Sequence, residues 1–256
     1  MDSLIITLII TVVLASLMTA PLGCVGLWNG LAFFGDTLAH ASLLGVCISM
    51  LTHTPYAFGG IIVAIFLAVA VAKNNDSPKD VTLAAISYTC LAVSLIIISK
   101  YFKGVLDPNT VLFGDILSVQ IDYLWFMAVI TLVILALLFV FFKPIQMVSF
   151  DVCLAHTKKI PVMQVRFLLL ISYGVAIGTG LKVLGALFVP AIALLPAAAA
   201  RNISQSPLQM IIFATIISTV CGVLGLFLSI MFDLPTGPAI VAMNALALIL
   251  AKFSKN

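Results

Sequence analysis

The sequence contains no glutamate. All nine acidic residues are aspartates: Asp2, Asp36, Asp76, Asp80, Asp107, Asp115, Asp122, Asp151 and Asp233. A mechanism that depends on a glutamate base is thereby excluded. Charge of either sign is scarce, 8% of 256 residues, against roughly a quarter in a soluble domain, so water is not the main solvent of this chain. No Gly-x-x-x-x-Gly-Lys-Ser/Thr phosphate loop occurs; if ATP drives the molecule, another chain binds it. The five cysteines, Cys24, Cys47, Cys90, Cys153 and Cys221, form no CxxC pair and no Cys/His spacing of a closed zinc site. They read as small buried hydrophobes. The net charge of +3 carries no implication of nucleic acid and fits basic loops beside anionic lipid.

What is abundant is apolar: 63% of the residues, with a mean hydropathy of +1.30. Runs of about 20 apolar residues cross a bilayer as helices. They fall at Leu4–Trp28, Gly35–Leu51, Pro55–Lys73, Val81–Ser99, Asp122–Phe142, Pro161–Gly178, Val183–Ala200, Leu208–Met231 and Leu234–Ala251. The expectation is an all-α, polytopic transmembrane bundle of about eight or nine spans, one domain over residues 1–256. No basic residue precedes the first segment, as one would in a signal peptide, so it is expected to remain as a span. Between Gly178 and Arg201 lie Gly178, Gly180, Gly185, Pro190 and Pro196. Proline removes a helical hydrogen bond and clashes one turn back, which predicts a broken helix near 178–201, either a packing kink or a feature beside a substrate pathway.

Basic residues concentrate on the cytoplasmic side of membrane proteins. With the N-terminus outside, Lys73, Lys79, Lys143, Lys158, Lys159, Arg166, Arg201, Lys252 and Lys255 face in, while Lys100, Lys103 and Lys182 face out. The opposite orientation inverts that bias. The C-terminus is therefore expected inside. The polar stretch from Lys143 to Arg166 then faces the cytoplasm. Ser149 or Asp151 is placed to cap a short helix there, with Phe150, Leu154 and Ala155 as its apolar side. Such a helix either meets a motor subunit or lies on lipid.

An ionisable residue in the bilayer is a functional hypothesis by default. Asp36 and His40 stand at i, i+4 and share one helix face. A carboxylate with an imidazole suits Zn²⁺, Mn²⁺ or Fe²⁺; two ligands fall short of a closed tetrahedral site, as fits an ion that must be released. The competing reading is an Asp–His hydrogen bond that only fixes a helix. His53 reads as a turn residue at the outer edge, His156 as a surface group, Asp115 as a cap or docking contact, and Asp233 as an outer turn that caps the last span. No nucleophile arrangement stands out for a membrane enzyme. A proton-driven carrier would need a relay through several spans, and Asp36 is the one clear mid-span acid.

Four segments together resemble a known family. Ala20-Pro21-Leu22-Gly23 with Phe34-Gly35-Asp36-Thr37-Leu38-Ala39-His40-Ala41-Ser42-Leu43-Leu44-Gly45 is similar to its N-terminal signature. Leu112-Phe113-Gly114-Asp115-Ile116-Leu117, Val183–Leu187 through Leu195–Arg201, and Asp233-Leu234-Pro235-Thr236-Gly237-Pro238 follow in the family's order. Over nearly its whole length the chain resembles the permeases of zinc- and manganese-uptake ABC transporters, most closely the bacterial high-affinity zinc uptake branch. Two departures stand out: Trp28-Asn29-Gly30 where relatives often carry basic residues, and Tyr88 where zinc-type relatives can carry a histidine. The resemblance implies a non-enzymatic permease in the bacterial cytoplasmic (inner) membrane. Its cargo is Zn²⁺, or alternatively Mn²⁺ or Fe²⁺, with no permanently bound cofactor. The implied partners are a second permease copy, two cytoplasmic ATPase subunits, an extracytoplasmic metal-binding protein and membrane lipid, with no nucleic acid. It favours Asp36 and His40 on the metal route and puts the ATPase-coupling helix within Phe150–Lys159, with Phe150, Asp151, Ala155, Lys158 and Lys159 as its coupling residues.

Overall fold

The computed structural model describes residues 2–52, 56–73, 80–102, 112–114, 116 and 119–253. The elements used below are α1 (Asp2–Trp28), α2 (Ala32–Leu51), α3 (Tyr56–Lys73), α4 (Asp80–Tyr101), α5 (Ile121–Val140), α6 (Phe142–Phe150), α7 (Val152–Thr157), α8 (Val162–Ile203), α9 (Pro207–Phe232) and α10 (Thr236–Phe253). No strand occurs among the described residues. In lipid every backbone polar group must be satisfied by the protein itself, and a helix does this within one segment. Seven described helices are long and apolar enough to cross a bilayer, and α3 contains a shorter apolar stretch at Gly59–Val71. One of the seven, α8, has 42 residues and is two helices joined at Gly185 (φ 75°, ψ 164°). The expected eight or nine spans are thus an approximate count.

At Gly185 the chain doubles back. Gly180 lies against the side chain of Val189, although nine residues of straight helix would hold them about 13 Å apart. The predicted break is present, but Pro190 and Pro196 both sit inside the helical stretch that follows it, and residues 179–182, left between spans by the sequence reading, are helical. A glycine is required at 185 because that backbone region is essentially closed to other residues. A side chain there would also strike the backbone of Leu112, Phe113 and Gly114. The doubled-back element occupies the centre of the bundle, against α1, α2, α3, α9 and α10, whereas α4 rests chiefly on α2 and α5 on α1.

Apolar side chains gain nothing by leaving lipid for one another, so helices in membranes associate through close packing and small residues. The seams here follow that rule. A side chain at Gly23 would meet the Ala193 carbonyl, one at Gly45 the Gly59 carbonyl, and one at Gly225 the backbone of Ile240. These contacts join α1 to α8, α2 to α3 and α9 to α10. The outward faces of α4 and α5 carry large apolar side chains such as Ile96, Trp125, Leu132 and Phe139.

Contacts between helix ends define two poles. At one, the Trp28 ring lies 5.4 Å from Phe150, Asn29 Nδ2 donates to Ser149 Oγ at 2.8 Å, and Trp28 Nε1 reaches Met210 Sδ at 3.1 Å. At the other, Gly114 and Gly185 meet backbone to backbone, Gly237 abuts Phe188 and the Phe113 carbonyl, and Lys182 Nζ sits 4.5 Å above the Tyr123 ring. Following the helices between poles, Lys73, Lys143, Lys158, Lys159, Arg166, Arg201 and Lys252 belong to the first and Lys100 and Lys182 to the second. Asp233, expected to cap the final span, instead ends α9 as a left-handed C-cap (φ 52°), its N–H bonded to the Ser229 carbonyl. His53 and Asp115 lie outside the described residues.

Candidate metal path and coupling helix

Helix α2 begins just after the Trp28–Leu31 turn, where Gly30 takes a positive φ of 67° and Leu31 N–H closes onto the Gly26 carbonyl at 2.9 Å. Starting at Ala32 rather than Gly35, the helix carries Asp36 about 6 Å and His40 about 12 Å along its axis. Helix α4 runs parallel to it. Thr37 Oγ1 donates to the Leu83 carbonyl at 3.1 Å, His40 pairs with Ser87, and Cys47 Sγ lies 3.6 Å from the Ser94 carbonyl. These three contacts keep a register of 46 or 47 residues. Small residues on both helices make that approach possible.

The two residues singled out by spacing are brought together, and a third joins them. Ser87 Oγ donates to Asp36 Oδ2 at 2.8 Å and lies 2.7 Å from His40 Nδ1. His40 Nδ1 and Asp36 Oδ2 are 3.7 Å apart, with the imidazole 4% and the carboxylate 38% exposed. The carboxylate therefore engages the ring through the serine. His40 Nε2 is buried and has no hydrogen-bond partner among the described residues. Almost all buried polar atoms find partners, which makes this bare nitrogen the most unusual atom of the site. No group of three or more His, Cys, Asp or Glu side chains that could hold a metal ion occurs among the described residues. The donors on offer are His40 Nε2 and the carboxylate of Asp36. Sequence reasoning missed Ser87, whose neighbour Tyr88 points outward with 64% of its surface exposed.

The second expected site is a helix at the first pole. Of the two capping candidates, Asp151 caps α7, its Oδ1 accepting from Leu154 N–H at 2.9 Å, while Ser149 is engaged by Asn29. The helix closes with Ile160 N–H on the Ala155 carbonyl at 3.0 Å and Lys159 left-handed at φ 56°, the Schellman arrangement. Ala155 is fully buried and anchors α7, while Phe150, Val152 and Leu154 remain exposed. Asp151, His156, Lys158 and Lys159 are exposed as well. The preceding helix α6 went unread in the sequence: Lys143, Pro144 and Gln146 mask a helix of about two and a half turns that buries Ile145 and Val148.

Comparison with known proteins agrees with this architecture. The chain is 29% identical over 250 residues to the high-affinity zinc uptake system membrane protein ZnuB of Haemophilus influenzae, covering 96% of each. It is 28% identical over 247 residues to the manganese import system permease protein ScaB of Streptococcus gordonii, covering 96% of this chain and 89% of that one. Its fold superposes on PsaBC from Streptococcus pneumoniae, solved in complex with Fab, with a TM-score of 0.83 and 27% identity over 96% of this chain and 89% of that one. The ABC 3 transport family model matches residues 1–255. This multi-helix membrane protein belongs to the ABC 3 transport family.

Proposed function

We propose that the chain is the membrane-spanning permease subunit of an ABC importer that moves a divalent transition metal into the cytoplasm, with Zn²⁺ as its cargo. The observation that carries the reading is the Asp36–Ser87–His40 cluster on α2 and α4, which leaves a buried imidazole nitrogen without a partner among the described residues. An imidazole donor suits Zn²⁺, and zinc is what the H. influenzae relative is named for. Manganese is the second reading, favoured by the S. gordonii relative at nearly the same identity. Asp36 and His40 act on the ion path, and their incomplete coordination permits release.

In this reading the pole with most of the basic residues faces the cytoplasm, as the positive-inside rule requires. Helix α7 docks the ATPase, with Phe150 and Asp151 at its entry, Ala155 as its anchor and Lys158 and Lys159 at its exit. The Asn29–Ser149 and Trp28–Phe150 contacts link this region to the turn that leads into α2. The remaining components are a second permease copy, two cytoplasmic ATPase subunits and an extracytoplasmic metal-binding protein. ATP is hydrolysed on the ATPase subunits.

The test is metal-dependent ATPase activity of the reconstituted complex, Zn²⁺ against Mn²⁺, together with growth under zinc limitation. Asp36→Ala with His40→Ala is expected to abolish zinc-limited growth while the complex still assembles. Unchanged uptake in that double variant refutes the site. Stimulation by Mn²⁺ alone transfers the cargo assignment to manganese.

A further inference from the structure

Ser87 has one hydroxyl hydrogen and two neighbours. Its Oγ lies 2.8 Å from Asp36 Oδ2 and 2.7 Å from His40 Nδ1. An ionised carboxylate only accepts hydrogen bonds. If the hydroxyl hydrogen pointed to the imidazole, two oxygens bearing lone pairs would face each other at 2.8 Å with no hydrogen between them. The arrangement that satisfies all three groups sends the hydrogen to Asp36 and requires His40 to donate from Nδ1 to Ser87. The imidazole is then the Nδ1–H tautomer, and Nε2 carries the free lone pair. That nitrogen is buried and has no hydrogen-bond partner among the described residues.

We propose that Ser87 is a positioning residue for the transported metal: it fixes the tautomer and ring orientation of His40 so that Nε2 is the donor presented to the ion. Asp36 acts on the ring through the serine. This deepens the reading of Asp36 and His40 as the metal path and rests on it. Groups that fix the far nitrogen of a metal-binding histidine typically change metal affinity 10–100-fold when removed. The hydroxyl comes from α4, a helix held mainly by α2, so the parallel register of the two helices decides whether the donor is correctly set.

Two measurements separate this proposal from the reading beneath it. The first needs no metal. Solid-state ¹⁵N NMR of histidine-labelled permease carrying His53→Gln and His156→Gln, so that His40 is the one histidine, reads the tautomer directly. Nδ1–H is expected with Ser87 and with Ser87→Thr, and a loss of that fixed tautomer with Ser87→Ala. The second is the Zn²⁺ concentration that half-stimulates ATP hydrolysis by the reconstituted complex. It should rise about tenfold or more in Ser87→Ala and return towards the wild-type value in Ser87→Thr. An Nε2–H tautomer in the unsubstituted protein overturns the proposal even if Ser87→Ala fails to assemble. So does an unchanged half-stimulating concentration in an assembled Ser87→Ala complex whose His40→Ala counterpart has lost its zinc response. If His40→Ala responds normally to zinc, the metal path itself is wrong, whatever the NMR shows.

Discussion

Gly185 and Gly114 have φ angles of 75° and 77° and lie backbone against backbone. A residue with a side chain held in such a region costs on the order of 1–3 kcal/mol, before any displacement of the neighbouring strand of chain. Gly185→Ala is therefore expected to lower the thermal midpoint of the purified permease by several degrees, and Gly114→Ala to do likewise. Because both disturb one contact, the double variant should lose less than the sum of the two; thermal unfolding in detergent checks this. The same locality separates what the sequence could reveal from what it could not. The i, i+4 spacing of Asp36 and His40 predicted that they share a face, and they do. Ser87, 47 residues from His40, left no trace in any local spacing, because the contact depends on how two helices are set side by side.

Helix boundaries behave in the same way. Hydropathy located the long spans closely because the bilayer demands length and apolarity from each one. It placed the break of the doubled-back element within 178–201, where Gly185 turns the chain; the two prolines of that window fall at positions the helix tolerates, because the turn depends on one backbone angle. It passed over α6, whose polar residues conceal Ile145 and Val148. For α7, the cap makes a specific prediction. Removing an N-cap costs about 1 kcal/mol, a large share of what holds six residues in a helix. Asp151→Ala should fray α7 and reduce co-purification of the ATPase. Asp151→Asn, which caps equally well, should preserve it, and charge reversal at Asp151 or Lys158 should weaken it. Normal yield of the complex from Asp151→Ala would show that the cap does not shape the docking surface.

Across the whole molecule, the uneven distribution of lysine and arginine was legible before any fold, and the helix ends gather those residues at opposite poles. With the other cysteines replaced, exposed Cys153 on α7 should react with a membrane-impermeant maleimide in inverted vesicles and stay unlabelled in intact cells. Asp233→Cys at the opposite pole should show the reverse pattern. Labelling of Cys153 from outside would invert the topology. The glycine seams at Gly23, Gly45 and Gly225 have a consequence for variation in this chain. Where backbones touch there is no side chain to trim in compensation, so an added methyl group has nowhere to go. The oily rims of α4 and α5 should accept nearly any hydrocarbon of similar reach. A saturation library would then divide the molecule into an interchangeable exterior and a few narrow lines along which scarcely any replacement survives.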